Sequence, residues 1–528
     1  MPGLDPSIIS LLDPQRTLGR VCHDVRSDFI LSPHYQIIFE QMGADLWDQL
    51  VSALRSGSFQ PSLPITVNMP KATGITRPIS ILSPMDRLLY QALADVLAPA
   101  VESSVDRSKV YSIVLLDPDP ETRMFAETTE CWNRLQTAIE QHCADGQWTY
   151  AIKADICSFY ERIRQHSLVN LLYATGCIPG AVRLLEELLL AWMERNSHGI
   201  LQGMMPSDLL GNFSLVGLDA EIEVQGHPHL RYVDDLYVFF PSRREAQRGL
   251  IELCKCLRSE GLNLNPLKSA VRPVGDLLRE ETQLDELFKA ARDEVAEELT
   301  GEYSSFYGFE LYWTETEVEI DEEEIHLLAV GALWEQLGNP DAPTDQIHKF
   351  CLPALGAAGL DLAVDDAIAG IHERPHLAKH YARYLWQVGR QDSVIRDELE
   401  RIVKENDFTS DWQTMWPIAA LYFMDSAKQE TVKEGMRLLK DYSHTDCLRA
   451  LCAMLVGKHG TAAQRQALRH QYTNEPSEYV RSGILFSAQY FPAAERRTCL
   501  KAWGAHSRTN ALVASAMRKV QEQTASAN

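Results

Sequence analysis

Two kinds of hydrophobic spacing divide the chain. Up to about residue 275, stretches of period-two alternation interrupt helical ones, whereas from about Ile325 apolar positions recur only at helical spacing. Residues 33–56 set Ile37, Ile38, Phe39, Leu46, Leu50, Val51 and Leu54 on one side of a predicted helix. After Pro61 the pattern becomes a hairpin, Leu63–Met69 and Thr76–Leu82 about a turn at Ala72-Thr73-Gly74. Ser83 and Pro84 then supply the N-cap and first position of a helix. Trp148–Ile156 alternates as a strand with Asp155 at its end. Leu230–Phe240 reads as two apolar arms joined through Asp234-Asp235, a hairpin whose tight turn the aspartates tolerate. Ser242–Glu260 is amphipathic and helical. In the last part, helix starts near Asp411, Thr445, Pro476 and Ser507 fall 34, 31 and 31 residues apart, each leading a helix pair. That spacing predicts a helical-repeat array.

A length of 528 residues predicts two or more domains. The pattern places an N-terminal helical extension at 1–60, a mixed α+β region at 61–275, an acidic connecting segment at 276–324 and an all-α region at 325–528. The net charge of −23 opposes nucleic-acid binding at first sight, since such affinity comes from Lys and Arg meeting phosphates. The excess is local, however. Residues 276–324 hold 18 Asp and Glu against Arg279, Lys289 and Arg292, a balance of −15, and the rest of the chain can carry a basic channel. No apolar run approaches membrane-spanning length and the first twenty residues lack a signal pattern, so a soluble cytoplasmic protein is expected. Eleven cysteines without paired spacing are expected as reduced thiols.

The chemistry is carried by carboxylates. Two adjacent aspartates between apolar arms repel one another and ask for a hard cation, most simply Mg²⁺, with Mn²⁺ as an alternative. A solvated acidic turn is the plainer reading of Asp234-Asp235 alone. Asp155 changes that, because a strand beside the hairpin would let Asp155 and Asp234 bridge two ions roughly 3.5–4 Å apart, the arrangement of phosphoryl transfer.

At this point the sequence resembles the reverse transcriptases. Their first catalytic block is an Asp followed by an aromatic pair, here Asp155 with Phe159 and Tyr160, and their third is Tyr-x-Asp-Asp, here Tyr232 to Asp235. The 79 residues from Asp155 to Asp234 leave room for intervening helices. Pro70-Lys71, a glycine turn, Arg77-Pro78 and Asp86-Arg87 are similar to the fingers of bacterial and intron-related members. The resemblance implies a right-hand polymerase of fingers and palm followed by HEAT-like helical repeats. It implies metal ligation by Asp155, Asp234 and Asp235, and nucleotide binding by Lys71, Arg77, Ile156, Phe159, Tyr160, Gln202 and Gly203. Tyr160 would be the gate that excludes a 2′-hydroxyl. Lys268, at the end of a short strand after Gly261, would be the general acid for pyrophosphate. Pro206-Ser207-Asp208 departs from the family's Ser-Pro order, and Phe306-Tyr307-Gly308-Phe309 echoes a primer-gripping hairpin.

A polymerase region joined to helical repeats resembles the bacterial abortive-infection class, which acts against phage. The implied activity is an RNA-directed DNA polymerase taking deoxynucleoside triphosphates to a DNA product, with untemplated and protein-primed synthesis compatible. The template, RNA or DNA, an associated RNA and self-association stay open. A conventional RNA-templated enzyme and a non-catalytic scaffold binding through its repeats are the alternatives. His372, His376 and His380, four apart, read as surface residues because Pro375 interrupts the turn. The Arg465 and His470 spacing of some helical ribonucleases is a loose pattern here.

Overall fold

The computed structural model describes residues 6–116, 122–281, 324–339, 342–390, 392–405 and 407–527. Most of the acidic segment, Phe306-Tyr307-Gly308-Phe309 included, lies outside them. The chain opens with helices α1 (Pro6–Ile9), α2 (Pro14–Asp24) and α3 (Pro33–Ser56). Asp13 caps α2 by accepting the N–H groups of Gln15 and Arg16. The hairpin β1 (Ile65–Pro70) and β2 (Thr76–Ile81) follows in the register Met69 to Arg77, with Gly74 at φ +80° in the loop. Helix α4 (Pro84–Ser103) starts as its sequence dictates, Ser83 Oγ accepting the Asp86 N–H.

The second sheet is built from segments scattered along the chain. After α5 (Thr128–Ala144) come β3 (Tyr150–Asp155), α6 (Phe159–Arg162), α7 (Gln165–Ala174), α8 (Pro179–Trp192), α9 (Met205–Ser214) and α10 (Val216–Val224). Strands β4 (His229–Tyr232) and β5 (Asp235–Phe240), helix α11 (Arg243–Ser259), strand β6 (Ala270–Pro273) and helix α12 (Val274–Glu281) complete it. The strand order is β4-β5-β3-β6, with each neighbouring pair antiparallel. Both faces are covered, which explains strands of nearly unbroken apolar residues. Ile152, Ala154, Leu236, Val238 and Phe240 join the main core on the α11 side. Ala151, Leu230, Tyr237 and Phe239 join a smaller core with Leu135 and Ile139 of α5. Gly249 of α11 sits where a Cβ would lie 2.3 Å from the Phe240 ring, so this helix reaches the sheet only as glycine.

From residue 324 onward every regular element among the described residues is a helix. Helices Thr344–Ala357, Ala378–Gly389, Asp411–Phe423, Asp446–His459, Glu478–Ser487 and Arg508–Ala527 stack one on the next as a row, with the alternate helices beside it. A side-chain link recurs along the row. Asp345 accepts from His376 Nε2 at 2.7 Å, Asp411 from His444 Nδ1 at 2.8 Å, and Asp446 from the Ser477 hydroxyl at 2.6 Å. In each case an Asp in the first turn of one helix holds the residues that lead into the next. Of the three spaced histidines His372 is exposed, as expected, whereas His376 and His380 are partly buried. His376 serves this link, His372 stacks on Phe408, and burial holds His380 at about 3. Arg465 donates to the Gly460 carbonyl while His470 is exposed near Asn474, so they share no site. All eleven cysteines are free thiols, six of them buried.

The helical array is joined to the N-terminal helices. Arg508–Ala527 packs along α3, where Lys519 Nζ donates to the Gln41 carbonyl at 2.8 Å. Tyr479 packs edge-on against His34 and Tyr35. Lys379 Nζ donates to the Asp28 carbonyl at 2.9 Å, and the same residue's carboxylate meets Arg87 Nη2 at 3.0 Å. Arg87 also donates to Asp24 Oδ2 at 2.6 Å, and that oxygen accepts the Met205 N–H at the start of α9 at 3.1 Å. One buried guanidinium thus connects the array, the N-terminal helices and the loop before α9.

Replacing Arg87 by Leu strands two buried carboxylates and is expected to cost about 3–5 kcal/mol in chemical denaturation at pH 8. Asp28 is already pushed up to about 6 by burial. The loss should shrink below that pH, as the orphaned carboxyls take up protons.

Candidate active site

The sheet brings the three predicted carboxylates to one edge. Asp155, last residue of β3, is the register partner of Asp235, first residue of β5, and Asp235 also faces Tyr232 across the hairpin. Asp234 stands in the two-residue turn between them. The left-handed position of that turn is Val233, at φ +53°, and not an aspartate as the motif suggested. A β-branched residue in this region is strained by roughly 1–3 kcal/mol and persists only where its surroundings over-determine it.

Those surroundings are specific. The Val233 N–H donates to Ser112 Oγ at 2.7 Å, and the Val233 carbonyl accepts from Arg231 Nη1 at 2.9 Å. Ser112 Oγ in turn donates to Asn212 Oδ1 at 3.1 Å, an atom shared with Arg231 Nη1 at 2.8 Å. Arg231 is fully buried and forks onto Asp219, Nε at 2.8 Å and Nη2 at 2.6 Å. Burial raises the Asp219 carboxyl, but the Arg231 guanidinium and His229 outweigh it and leave it below the ordinary range. The turn is therefore clamped on both its polar atoms by a closed buried network.

Asp155 is held from the other side. Its N–H donates to Ser269 Oγ at 3.1 Å, its carbonyl accepts the Asn265 N–H at 2.8 Å, and Oδ2 accepts from Asn265 Nδ2 at 2.9 Å. Oδ1 accepts from Lys268 Nζ at 3.1 Å. Lys268 so stands at the carboxylates, but the strand it was expected to end follows it instead, as β6; Leu264 makes only a single bridge to Ile156. Lys268 is two-thirds exposed, so this pair is worth little energetically and leaves the lysine free to move.

Electrostatics mark the cluster. Burial first and Asp155 second raise the Asp234 carboxyl, against the opposing charges of Arg77 and Lys268. Burial, with Asp234 and Asp155, pushes Asp235 up to about 7. Arg77, on β2, is thus near enough to act on Asp234, whereas Lys71 stands in the β1–β2 loop, its N–H donating to the Ile75 carbonyl at 2.8 Å. Gln202 accepts the Ser80 N–H through its carbonyl at 3.4 Å, tying the loop before α9 to β2. Gly203, at φ +98°, leaves a Cβ position only 3.1 Å from Phe29.

Ile156 and Phe159 are buried. Tyr160 packs its ring over Gly211 of α9, where a Cβ would lie 2.9 Å away, and its hydroxyl donates to Asp208 Oδ1 at 2.9 Å. Burial drives that phenol well up, and pushes Asp208 up to about 7. The unusual Pro206-Ser207-Asp208 order has a structural use here: Ser207 meets the Tyr90 hydroxyl at 2.9 Å and Asp208 anchors Tyr160.

Sequence reading missed Ser112, Asn212, Asp219, Asn265 and Ser269. Arg231 carried a signal, since a charged residue inside an apolar strand needs a buried partner. Among the described residues no group of three or more His, Cys, Asp and Glu forms a ready metal cage. No described helix is long and apolar enough to cross a membrane.

Between about pH 4 and pH 7 the folded, metal-free protein keeps a proton on Asp235 that the unfolded chain has lost, so its stability falls as pH rises through that window. Asp235→Asn removes this dependence. In chelator-treated samples its Tm should exceed that of the unsubstituted protein at pH 8 and match it at pH 4.

Among curated proteins no sequence matches the chain. Among solved structures, telomerase from Candida tropicalis, in complex with a TWJ fragment of telomeric RNA, aligns at 11% identity and a TM-score of 0.31, over 68% of this chain and 64% of that one. Telomerase from Candida albicans, in the same type of complex, aligns at 12% identity and 0.30, over 68% and 66%. The chain thus spans just under two thirds of the length of these structures, at scores that do not establish a common overall fold. The specific match is in sequence: residues 69–289, which hold all three carboxylates, the Arg77 strand and the α9 loop, fit the family model described as reverse transcriptase (RNA-dependent DNA polymerase), and the chain therefore carries a reverse-transcriptase domain.

Proposed function

We propose that the protein is a DNA polymerase of reverse-transcriptase type, adding deoxynucleotides at Asp155, Asp234 and Asp235. The observation that carries this is the meeting of three carboxylates at one sheet edge, on a turn whose strain is held by a dedicated buried network. A scaffold has no need of such a turn.

The donor set fits a divalent cation. All three groups are hard oxygen ligands, two of them raised by burial and mutual repulsion, which a cation would relieve. Asp155, Asp234 and Asp235 would hold it. When bound, Mg²⁺ supplies activation of the attacking hydroxyl and neutralisation of the leaving oxygens. The protein's own part is positioning. Asn265 and Ser269 fix the Asp155 backbone and carboxylate, and Ser112 holds the Val233 N–H and Arg231 the Val233 carbonyl beside Asp234. Lys268, already at Asp155 and free to swing, is placed to hold and deliver a proton to the leaving pyrophosphate. Arg77 would meet the triphosphate, and Tyr160, braced on Asp208, would limit room at the sugar.

The stacked helical array supports a finer reading: HEAT-like repeats behind a polymerase, as in the bacterial abortive-infection class, with a role in antiphage defence and untemplated, protein-primed synthesis compatible with the Pro206-Ser207 order. Labelled deoxynucleotide incorporation by purified protein with Mg²⁺, with and without primer–template, tests both levels. Product is expected from the unsubstituted protein and none from Asp234→Ala. Product that appears only with template would remove the untemplated reading, while protease-sensitive migration would support protein priming. Loss of all incorporation alongside intact biological activity would leave the scaffold.

Ser112→Ala should act on geometry alone. It is expected to lower kcat by about ten- to a hundredfold with little change in nucleotide KM, because a small displacement of Asp234 misaligns the reacting groups.

A further inference from the structure

The side of the sheet away from α5 carries a second feature with no part in the site above. Helix α11 has five basic residues against two acidic ones, in a chain of net charge −23. Its buried face is Ala246, Gly249, Leu253 and Leu257. On the opposite face Arg244, Arg248, Ile251, Lys255 and Arg258 follow one another at intervals of four, three, four and three, a single straight stripe about 21 Å long at the helical rise. All five are exposed. Lys255 pairs with Glu252 at 2.8 Å, whereas among the described residues no carboxylate pairs with Arg244, Arg248 or Arg258. Three unneutralised guanidiniums in line are an unusual feature in so acidic a chain.

Beside this stripe lies a groove of about 780 Å³ between α7, α10 and α11. Its walls include Leu168, Leu171, Leu218 and Leu257, and Arg164, Lys255, Glu221 and Glu260 also line it. A linear row of cations beside an apolar recess is the pairing that holds single-stranded nucleic acid, phosphates on the row and bases off the water. The two carboxylates are no obstacle to a base, since they can accept its exocyclic amine. The C-terminal end of α11 leads directly to the Gly261–Lys268 loop that grips Asp155, so the stripe runs along the sheet toward the active site.

We propose that this face binds a single strand of nucleic acid, with its phosphates on Arg244, Arg248 and Arg258 and a base in the adjoining groove. The assignment rests on the polymerase reading only for why such a strand would be at hand. Gly217 offers a clean probe of the groove: it lines the recess, it is helical, and a Cβ added there meets nothing within 4 Å. Gly217→Trp should fill the recess without disturbing the fold.

The test is fluorescence anisotropy with a labelled single-stranded oligonucleotide over a range of salt concentrations. The triple variant R244Q/R248Q/R258Q is expected to bind at least tenfold more weakly at low salt. Its log K against log salt slope should be reduced by about 2, the value for three single-strand phosphates. Gly217→Trp should weaken binding with the slope unchanged. Incorporation is scored with Asp234→Ala and binding with the triple variant, so a failed incorporation assay and a failed binding assay remain separate results. An unchanged slope in the triple variant overturns the proposal. So does a finding that the triple variant loses self-association in place of oligonucleotide binding, which would make the face a contact between copies of the chain.

Discussion

Mutual repulsion between carboxylates is the constraint on which this molecule turns. A strand end and a two-residue hairpin bring Asp155, Asp234 and Asp235 together in a largely buried place, where burial and Asp155 oppose the ionisation of Asp234, and burial, Asp234 and Asp155 that of Asp235. Left to itself such an edge would relax, the hairpin opening or the carboxyls protonating. The opposing forces are identifiable. Arg231 and Ser112 grip the turn through its backbone, and Asn265, Ser269 and Lys268 do the same for Asp155. The cost of the arrangement is also visible, as a valine in a conformation that suits glycine.

Much of this was legible in the sequence, for reasons that vary by residue. Asp155 and the Asp234-Asp235 pair stand out because period-two alternation frames them, and a buried strand has few reasons to end in acid. Alternation says nothing of φ, so the left-handed position was placed on an aspartate when it belongs to Val233. Ser112 was out of reach: it lies 121 residues before the N–H it accepts, in a segment without regular structure. The position of β6 was misread because Lys268 and Ser269 form a turn held by Asp155 itself, which delays the strand until Ala270. The helical spacing after residue 411 could be read off because three of the units open on Ser or Thr followed by an acidic residue, Ser410-Asp411, Thr445-Asp446 and Ser477-Glu478; the links between units, such as Asp411 to His444, join residues about thirty apart and have no local signature.

The array is also more than an appendage. Through Lys379 and Asp28 it touches the ion pair of Arg87 with Asp24, and through Asp24 the first turn of α9, on which Asp208 and Gly211 seat Tyr160. Each step is a hydrogen bond or ion pair between buried or partly buried partners, so displacement at the array has a physical route to the floor of the site. Whether such a route carries free energy depends on α9 having two arrangements of similar stability.

An open solenoid can gain or lose a unit at little cost, because its far end is tied to nothing. This array is attached near its beginning, where Lys379 meets Asp28, and again at its last helix, where Arg508–Ala527 lies along α3 and Lys519 meets Gln41. The span between its two attachments must therefore match the separation of two fixed points on the N-terminal helices. The number of units is set by closure, as the number of staves is set by the hoop, and evolution can vary the faces of these helices far more readily than their count.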